Sequence, residues 1–406
     1  MYVYKIRERS EFLKVRLRHK ILISTVGKIV LYFFKKKFNI EAEKVPLKPP
    51  YLALANHTSD YEGLFIAQSL TPPFHFVMSD HVASLPIIGK LADFSVAPIP
   101  MNMSGKMELG TLRDIFSVLK QKASVCIFQE GNKSCAGENL YTEESIAKLV
   151  KKAKVPLVLF KTEGGYFSNP RWANQPVRKG KVSIKIAKIL SVEEIADLSQ
   201  KELYDTIVTA TTVNAYELQD KNPIAYRGKK LAEGFEHIFY MCPHCNSLAS
   251  LISHDNSITC TQCHSKWLYT EQCYLEGPYF HRLNDWDAWQ KEQIQALDFA
   301  SFDQNYCILE DLPWTIAQKS ARNKYIAQGT FSTRLFNNRI EFENLKTGAI
   351  DSLSLDRIRG MALVAKNDIQ ITTKQGITFQ LSNKTNVSGL KYINFIWAIL
   401  GMKMAY

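Results

Sequence analysis

A histidine followed closely by two carboxylates marks the place in this sequence where acid–base chemistry is most readily built. His57 lies just after the apolar residues 51–55, and Asp60 and Glu62 follow it. A carboxylate bound to one imidazole nitrogen leaves the other nitrogen able to act as a base near neutral pH, so His57 is a candidate general base. Its partner can be Asp60 or Glu62. Ser59 and Glu62 also have the spacing of a helix capping box, which is a purely structural alternative.

A second polar segment, residues 128–134, follows the apolar residues 124–128. It combines a Glu-Gly turn with a lysine and a hydroxyl. Backbone N–H groups at such a turn, together with a cation, suit an anionic phosphate or a developing oxyanion. By itself the segment is only a polar loop between a strand and a helix. The candidate substrate-binding residues are Glu130, Gly131, Asn132, Lys133 and Ser134.

Two C-x2-C pairs lie near the middle of the chain. They consist of Cys242, Cys245, Cys260 and Cys263. Each pair can wrap one face of a tetrahedral ion, and four thiolates suit Zn²⁺, so the spacing predicts a structural zinc ribbon. A module of this size folds on metal binding. His244 and His264 are possible substitute ligands, although a solvent-exposed role is the more ordinary one. A thiolate site without a secretory signal favours a reducing compartment.

Positive charge is concentrated at the N-terminus. The formal net charge is +12, and residues 1–40 contain eleven Lys or Arg and two acidic residues. Apolar residues are interleaved with these cations, as in helices that lie on anionic bilayers. The apolar run 21–34 is too short to span a membrane and is interrupted by Lys28. We therefore expect peripheral or monotopic docking at the cytoplasmic face. A basic helix packed on its own domain is the alternative.

The composition excludes several classes of protein. With 406 residues, 46% of them hydrophobic, the chain is globular and long enough for two or three domains. Gly 19 and Pro 15 exclude a collagen-like chain, and eight cysteines are too few for a disulfide scaffold. A nucleic-acid binder is disfavoured because residues 231–406 contain 16 basic and 17 acidic residues, whereas such binders concentrate positive charge on the domain that makes the contact.

The elements that must position His57 alternate along the first half of the chain. Strands are predicted at 51–55, 74–78, 124–128, 155–160 and 182–189, with helices at 62–70, 110–121 and 143–152 and further helices in 193–220. This alternation indicates an α/β layer with a largely parallel sheet. In such layers a turn from strand to helix lies at the sheet edge, where sites are formed.

The C-terminal part is predicted to form a separate β domain. A hairpin around Asn337 and Asn338 is followed by short strands up to residue 381 and a final amphipathic helix at 387–400. This pattern predicts an antiparallel β-barrel with a capping helix, similar to pleckstrin-homology domains. The expected organisation is docking helices at 1–45, an α/β domain at 46–225, a zinc ribbon at 238–277, a helical connector at 278–325 and the β domain at 326–406.

Four blocks, taken in order, resemble the glycerolipid acyltransferase family, which includes 1-acylglycerol-3-phosphate acyltransferases. The family carries N-H-x4-D, P-x-x-G, F-P-E-G-x-R-S and V-P before a hydrophobic run. Here the blocks are Asn56-His57-x4-Glu62, Pro86-x-x-Gly89, Phe128-Gln-Glu130-Gly131-x-Lys133-Ser134 and Val155-Pro156. The resemblance covers residues 40–215. Glu62 replaces the family's Asp, Lys133 replaces its Arg, and the Arg of the second block falls near the uncharged Met101.

The resemblance implies a glycerolipid-acyltransferase-like fold with a mixed, largely parallel sheet, and acyl transfer without a covalent enzyme intermediate. His57, steadied by Glu62 or Asp60, would activate a hydroxyl of a lysophospholipid, above all 1-acyl-sn-glycerol-3-phosphate. The donor would be an acyl thioester of coenzyme A or of acyl carrier protein. Main-chain donors near Gly131 would stabilise the oxyanion, and Glu130 and Lys133 would orient the acceptor phosphate. Because the family's Asp and Arg are replaced, a second hypothesis is a catalytically inactive acyltransferase fold that binds lipid or serves as a scaffold.

Overall fold

The computed structural model describes residues 13, 15–79, 97–101, 107–175, 177–320, 325–383, 385 and 387–402. The chain divides into two compact units. One consists of Met1–Arg171 and Pro176–Gly228, and the other consists of Trp172–Gln175 and Lys229–Tyr406. The predicted block Pro86-x-x-Gly89 lies outside the described residues.

The first unit is an α/β layer. Its strands are β1 (Ile40–Ala42), β2 (Leu52–Ala55), β3 (Phe74–Ser79), β4 (Ile99–Met101), β5 (Ser124–Phe128), β6 (Leu157–Glu163) and β7 (Val182–Leu190). Its helices are α1 (Leu17–Leu22), α2 (Lys28–Lys37), α3 (Glu62–Ala67), α4 (Leu109–Lys120), α5 (Ser145–Ala153), α6 (Gly165–Ser168), α7 (Val192–Asp197), α8 (Gln200–Thr211) and α9 (Ala215–Lys221). A π-helical turn, Ile23–Gly27, joins α1 to α2.

The seven strands form one sheet in the order β1-β7-β6-β2-β5-β3-β4. The β6–β7 pair is antiparallel, and the other pairs are parallel. The predicted mixed, largely parallel sheet is therefore confirmed. β1 and β4 were missing from the prediction because three residues are too few to show a period.

The central strand β2 is buried on both faces. Leu52 and Leu54 belong to one apolar cluster, while Ala53 and Ala55 belong to another. Alternate side chains of a strand point to opposite faces, so helices that cover both faces require a continuous apolar run. This run anchors β2 and fixes the point at which the polar residues after Ala55 leave the sheet.

The second unit contains two antiparallel sheets. The smaller sheet has the order β11-β10-β9-β8, and the larger has the order β15-β14-β13-β12-β18-β17-β16. The strands are β8 (Leu251–His254), β9 (Ser257–Cys260), β10 (Lys266–Tyr269), β11 (Leu275–Glu276), β12 (Leu309–Lys319), β13 (Tyr325–Leu335), β14 (Arg339–Asn344), β15 (Ile350–Ser354), β16 (Ile358–Val364), β17 (Asp368–Thr373) and β18 (Thr378–Ser382). The helices α10 (Leu283–Gln295) and α11 (Gly389–Ile399) complete the unit.

The larger sheet corrects two predictions. The barrel is not closed among the described residues, because β15 and β16 stand at opposite ends of the strand order. The segment 309–319, assigned to a helical connector, forms β12 and pairs with β13 and β18. Its register shifts between Asp311 and Trp314, and this irregularity hides the alternation by which a strand is recognised. The predicted β13–β14 hairpin around Asn337 and Asn338 is confirmed.

Residues 237–241 connect the two helices of the second unit. Trp286 of α10 donates its indole N–H to the Met241 carbonyl at 3.0 Å. The Asn394 amide of α11 donates to the Tyr240 hydroxyl at 2.8 Å, and the Ser388 hydroxyl donates to the His237 carbonyl at 2.7 Å. The chain leading into the first C-x2-C pair is therefore tied to both α10 and α11.

Candidate active site

The candidate site lies at the carboxyl ends of β2, β5 and β6. Ala55 of β2 is paired with Phe128 of β5, so the polar residues that follow these strands emerge side by side. Asn56 fixes the exit of the chain: its Nδ2 donates to the Thr162 carbonyl at 3.0 Å, and its Oδ1 accepts from the Thr162 N–H at 2.7 Å. Open α/β sheets form their sites at this edge.

His57 is held by Glu62. The His57 Nδ1 lies 2.7 Å from Glu62 Oε2, and the Glu62 carboxylate also accepts from the Thr58 N–H at 2.8 Å and from the Thr58 hydroxyl at 2.6 Å. Phe128 stacks on the imidazole with ring centroids 4.5 Å apart. Nε2 has no hydrogen-bond partner in the described part of the chain. The arrangement leaves Nε2 in position to take a proton from a bound molecule.

The capping-box alternative is not seen. Helix α3 begins at Glu62 itself, its N-cap residue is Tyr61, and no side chain caps it. The Glu62 carboxylate is fully buried and turned toward His57 and Thr58 instead of the helix start. A carboxylate committed to these contacts is unavailable for capping.

Asp60, the other candidate partner of His57, contacts a lysine. Lys133 Nζ lies 2.5 Å from Asp60 Oδ1, with the lysine side chain 7% exposed and the aspartate side chain 59% exposed. Burial lowers the pKa of Lys133, while Asp60 opposes that effect. Burial alone raises the pKa of Asp60, but the charges of Lys133 and Arg171 outweigh it and bring that pKa below its ordinary range. The two side chains thus form an ion pair.

Glu130 joins the loops that follow β2 and β5. Its carboxylate accepts from the His57 N–H at 2.9 Å, from Asn139 Nδ2 at 2.7 Å and from the Leu140 N–H at 2.6 Å. Burial raises the pKa of Glu130 to about 8, although these donors favour the ionised form. The sequence predicts that Glu130 binds substrate. In the structure, its carboxylate holds the main chain of His57 in place.

The N–H groups expected near Gly131 donate within the protein. The N–H of Gly131 donates to the Phe128 carbonyl at 3.0 Å, and the N–H of Ser134 donates to the His57 carbonyl at 2.9 Å. Lys133 donates its N–H to Asn132 Oδ1 at 2.8 Å. These groups are used to fold the loop and to fasten it to His57. The structure therefore does not present the expected oxyanion donors at these three positions.

The segment after β6 supplies site residues that the sequence analysis missed. A Cβ at Gly165 would lie 2.7 Å from Thr58 Oγ1 and 3.2 Å from Glu62 Oε1, so only glycine leaves room there. Asn169 Oδ1 accepts the N–H of Asp60 at 3.0 Å. The buried Arg171 donates from Nη1 to Asn132 Oδ1 at 2.6 Å and to the Lys133 carbonyl at 3.2 Å. The sequence offers one signal for these three residues: they follow β6, an apolar strand parallel to β2, and sites form beyond the carboxyl ends of such strands.

The four cysteines of the two C-x2-C pairs come together. Their Sγ atoms all lie within 4.8 Å of one another. Cys242 and Cys263 are 3.6 Å apart, and Cys245 and Cys260 are 3.8 Å apart, measured between sulfurs. A tetrahedral Zn²⁺ with Zn–S bonds of about 2.3 Å separates its sulfurs by roughly 3.8 Å. The cluster is therefore compatible with a zinc site.

The N-terminal helices have an apolar surface in contact with solvent. Phe34 and Phe38 stack on each other and pack against Tyr61. Around the same helices, other apolar side chains are exposed: Leu17, Ile21, Val26, Ile29, Val30, Tyr32 and Phe33. Among the described residues, no helix combines the length and apolar character that crossing a bilayer requires.

Comparison with known proteins bears on the first unit. Residues 37–159 match the family model described as Acyltransferase. The matched segment, which contains His57, Glu62 and Lys133, is similar to the acyltransferase family. No curated protein sequence matches the chain.

Solved structures give distant likenesses. The 1-acyl-sn-glycerophosphate (LPA) acyltransferase PlsC from Thermotoga maritima is 17% identical, with a TM-score of 0.41 and coverage of 51% of this chain and 84% of that chain. The N-terminal PH domain of human ARAP2 is 12% identical, with a TM-score of 0.18 and coverage of 25% of this chain and 83% of that chain.

Proposed function

We propose that this protein transfers an acyl group from a thioester of coenzyme A or acyl carrier protein to a hydroxyl of a lysophospholipid, with His57 as the general base. One observation carries the proposal: His57 Nδ1 lies 2.7 Å from the buried Glu62 carboxylate at the sheet edge. The acyltransferase match over residues 37–159 supports the reaction class.

The reaction follows from the orientation of the imidazole. Glu62 keeps the proton of neutral His57 on Nδ1, so Nε2 accepts the proton of the acceptor hydroxyl as its oxygen attacks the thioester carbonyl. Collapse of the tetrahedral intermediate breaks the C–S bond, and the leaving thiolate takes the proton back from His57. The enzyme forms no covalent intermediate. Glu62 also stabilises the imidazolium that exists between the two proton transfers.

Cations beside His57 support an anionic acceptor. Lys133 and Arg171 both bring positive charge to the loop that is bonded to His57. That charge favours a phosphate near the acceptor hydroxyl and stabilises the negative charge that develops on the carbonyl oxygen.

Zn²⁺ is the metal that we assign to Cys242, Cys245, Cys260 and Cys263. The sulfur separations and the all-thiolate donor set support this choice. A site closed by four protein ligands is structural, so the metal would stabilise the second unit and take no part in acyl transfer.

Membrane docking at the cytoplasmic face completes the proposal. The exposed residues Ile29 and Phe33 of α2 would enter the boundary between headgroups and acyl chains, while Lys28 and Lys35–Lys37 would contact anionic headgroups. This placement brings the site to the surface where lysophospholipids reside.

The test is a substrate panel with the full chain on anionic vesicles. Labelled acyl-coenzyme A and acyl carrier protein thioesters are each offered with several lysophospholipids, including 1-acyl-sn-glycerol-3-phosphate. We expect labelled diacyl product from at least one pair, and none with His57→Ala. If no pair yields product while the protein binds the vesicles, the acyltransferase proposal fails and a lipid-binding scaffold takes its place.

A further inference from the structure

The Lys133 ammonium is already matched by an anion of the protein. Lys133 is buried, and its Nζ lies 2.5 Å from Asp60 Oδ1. Asp60 follows His57 by three residues, and its side chain is 59% exposed at the surface of the site. A phosphate that approaches Lys133 therefore meets the Asp60 carboxylate first.

The main chain that carries Asp60 is fixed in place. The Asp60 N–H donates to Asn169 Oδ1 at 3.0 Å, and the Ser59 hydroxyl donates to the same oxygen at 3.3 Å. These contacts hold the turn that carries Asp60 onto the segment after β6. The ion pair of the carboxylate with Lys133 therefore starts from a held main chain.

We propose that Asp60 is a specificity-determining residue that selects acceptors by phosphate charge, disfavouring phosphate monoesters and favouring lysophospholipids with a phosphodiester headgroup. The inference rests on the proposed acyl transfer to lysophospholipids. Lys133, Arg171 and Asp60 together carry one net positive charge. A phosphodiester, with one negative charge, balances this net charge, whereas a monoester carries about −1.5 to −2 at neutral pH and leaves uncompensated negative charge beside the buried Lys133 and Arg171, which is costly.

The experiment compares two acceptors with the same acyl chain, 1-acyl-sn-glycerol-3-phosphate and 1-acyl-sn-glycero-3-phosphoglycerol. For the wild type we expect the larger kcat/KM with the diester. Asp60→Asn should raise the monoester-to-diester ratio of kcat/KM about two- to fivefold, the effect in water of the monoester's additional half to one negative charge at roughly 4 Å from the carboxylate. Asp205→Asn is the matched control, because Asp205 forms an exposed ion pair with Lys201 at 2.7 Å on α8. Its ratio should equal that of the wild type.

A binding measurement separates this inference from the proposed function. Calorimetry with sn-glycerol 3-phosphate and sn-glycero-3-phosphoglycerol needs no acyl donor, and Asp60→Ser provides a second variant. Both variants should gain affinity for the monoester relative to the diester. If the wild type transfers acyl groups but prefers the monoester, or if neither ratio changes in folded variants, the role of Asp60 is refuted and the proposed function stands. If the wild type transfers nothing, the proposed function fails, and the binding ratios alone decide whether Asp60 selects phosphates.

Discussion

At the scale of residues, the site depends on one carboxylate reaching two neighbours. Glu62 replaces the family's aspartate, and the longer side chain still contacts His57 Nδ1 at 2.7 Å because helix α3 begins at Glu62. The same carboxylate accepts the Thr58 hydroxyl at 2.6 Å. The substitution thus preserves the contact that the proposed mechanism requires.

Gly165→Ala tests whether the close packing behind this carboxylate matters. The new Cβ would lie 2.7 Å from Thr58 Oγ1, so Thr58 and Glu62 must shift. We expect acyl transfer to fall about 10- to 100-fold, as misplacement of a catalytic group by a fraction of an ångström to one ångström implies. Gly63→Ala is the control, since a Cβ there meets nothing within 4 Å. Equal activity of the two variants in steady-state assays would contradict the packing argument.

Glu130 gives a pH-dependent prediction. Burial raises the pKa of Glu130 to about 8, whereas an unfolded chain shows about 4.3. The folded protein therefore keeps a proton that the unfolded chain releases. The contribution of protonated Glu130 to the free energy of unfolding is complete below about pH 4.3 and is lost as the pH rises through about 8.

The matched variant is Glu130→Gln, which imitates the protonated side chain at every pH. Thermal unfolding of both proteins from about pH 5 to 8.5 should show the wild type losing Tm relative to the variant as the pH rises. A Tm difference that is constant over this range would show that Glu130 does not take up a proton on folding.

At the scale of elements, the N-terminal helices have two faces. Phe34 and Phe38 pack against the domain, while Ile29 and Phe33 are 60% and 63% exposed. Lys35–Lys37 end α2 next to these exposed side chains. One face is thus used for folding, and the other remains available for a bilayer.

Phe33→Glu should weaken binding to anionic vesicles roughly tenfold or more, since a buried aromatic side chain contributes about 1.5–3 kcal/mol. Flotation or co-sedimentation with the vesicles measures this. Leu109→Glu, at an 84% exposed apolar position in the first turn of α4, is the control and should leave binding unchanged. Equal losses in both variants would exclude the helix face as the docking surface.

Elements with a clear period were predictable, and contacts between distant segments were not. β5 was predicted at its observed bounds because five apolar or small residues stand between polar turns. The choice between Asp60 and Glu62 depends on where α3 begins, and Gly165 and Arg171 approach the site only through the pairing of β2 with β6. β12 was hidden by its register shift.

At the scale of the whole molecule, the second unit links the four-cysteine cluster to the larger sheet through hydrogen bonds. Residues 237–241 contact α10 through Trp286 and α11 through Asn394. α11 is buried along most of its length. Local disorder at the cysteines should therefore spread into α10 and α11.

Metal removal tests this coupling. Chelation of the purified chain, or Cys260→Ser, should lower amide protection against hydrogen exchange in β8–β10 and also in α11, because binding of structural zinc contributes folding free energy. Cys307→Ser, a cysteine outside the cluster, is the control. If α11 keeps full protection when β8–β10 lose theirs, the cluster and the larger sheet are independent.

The most direct test of the central claim is the rate of acyl transfer by His57→Ala and Glu62→Gln against the wild type, with the best acceptor from the panel. General-base catalysis contributes about 10²–10⁴-fold, so His57→Ala should lose at least that factor while its circular dichroism and metal content stay unchanged. Glu62→Gln should lose part of this rate enhancement, because the His57 imidazolium then lacks the carboxylate that stabilises its charge. Wild-type rates in a folded His57→Ala protein would contradict the account.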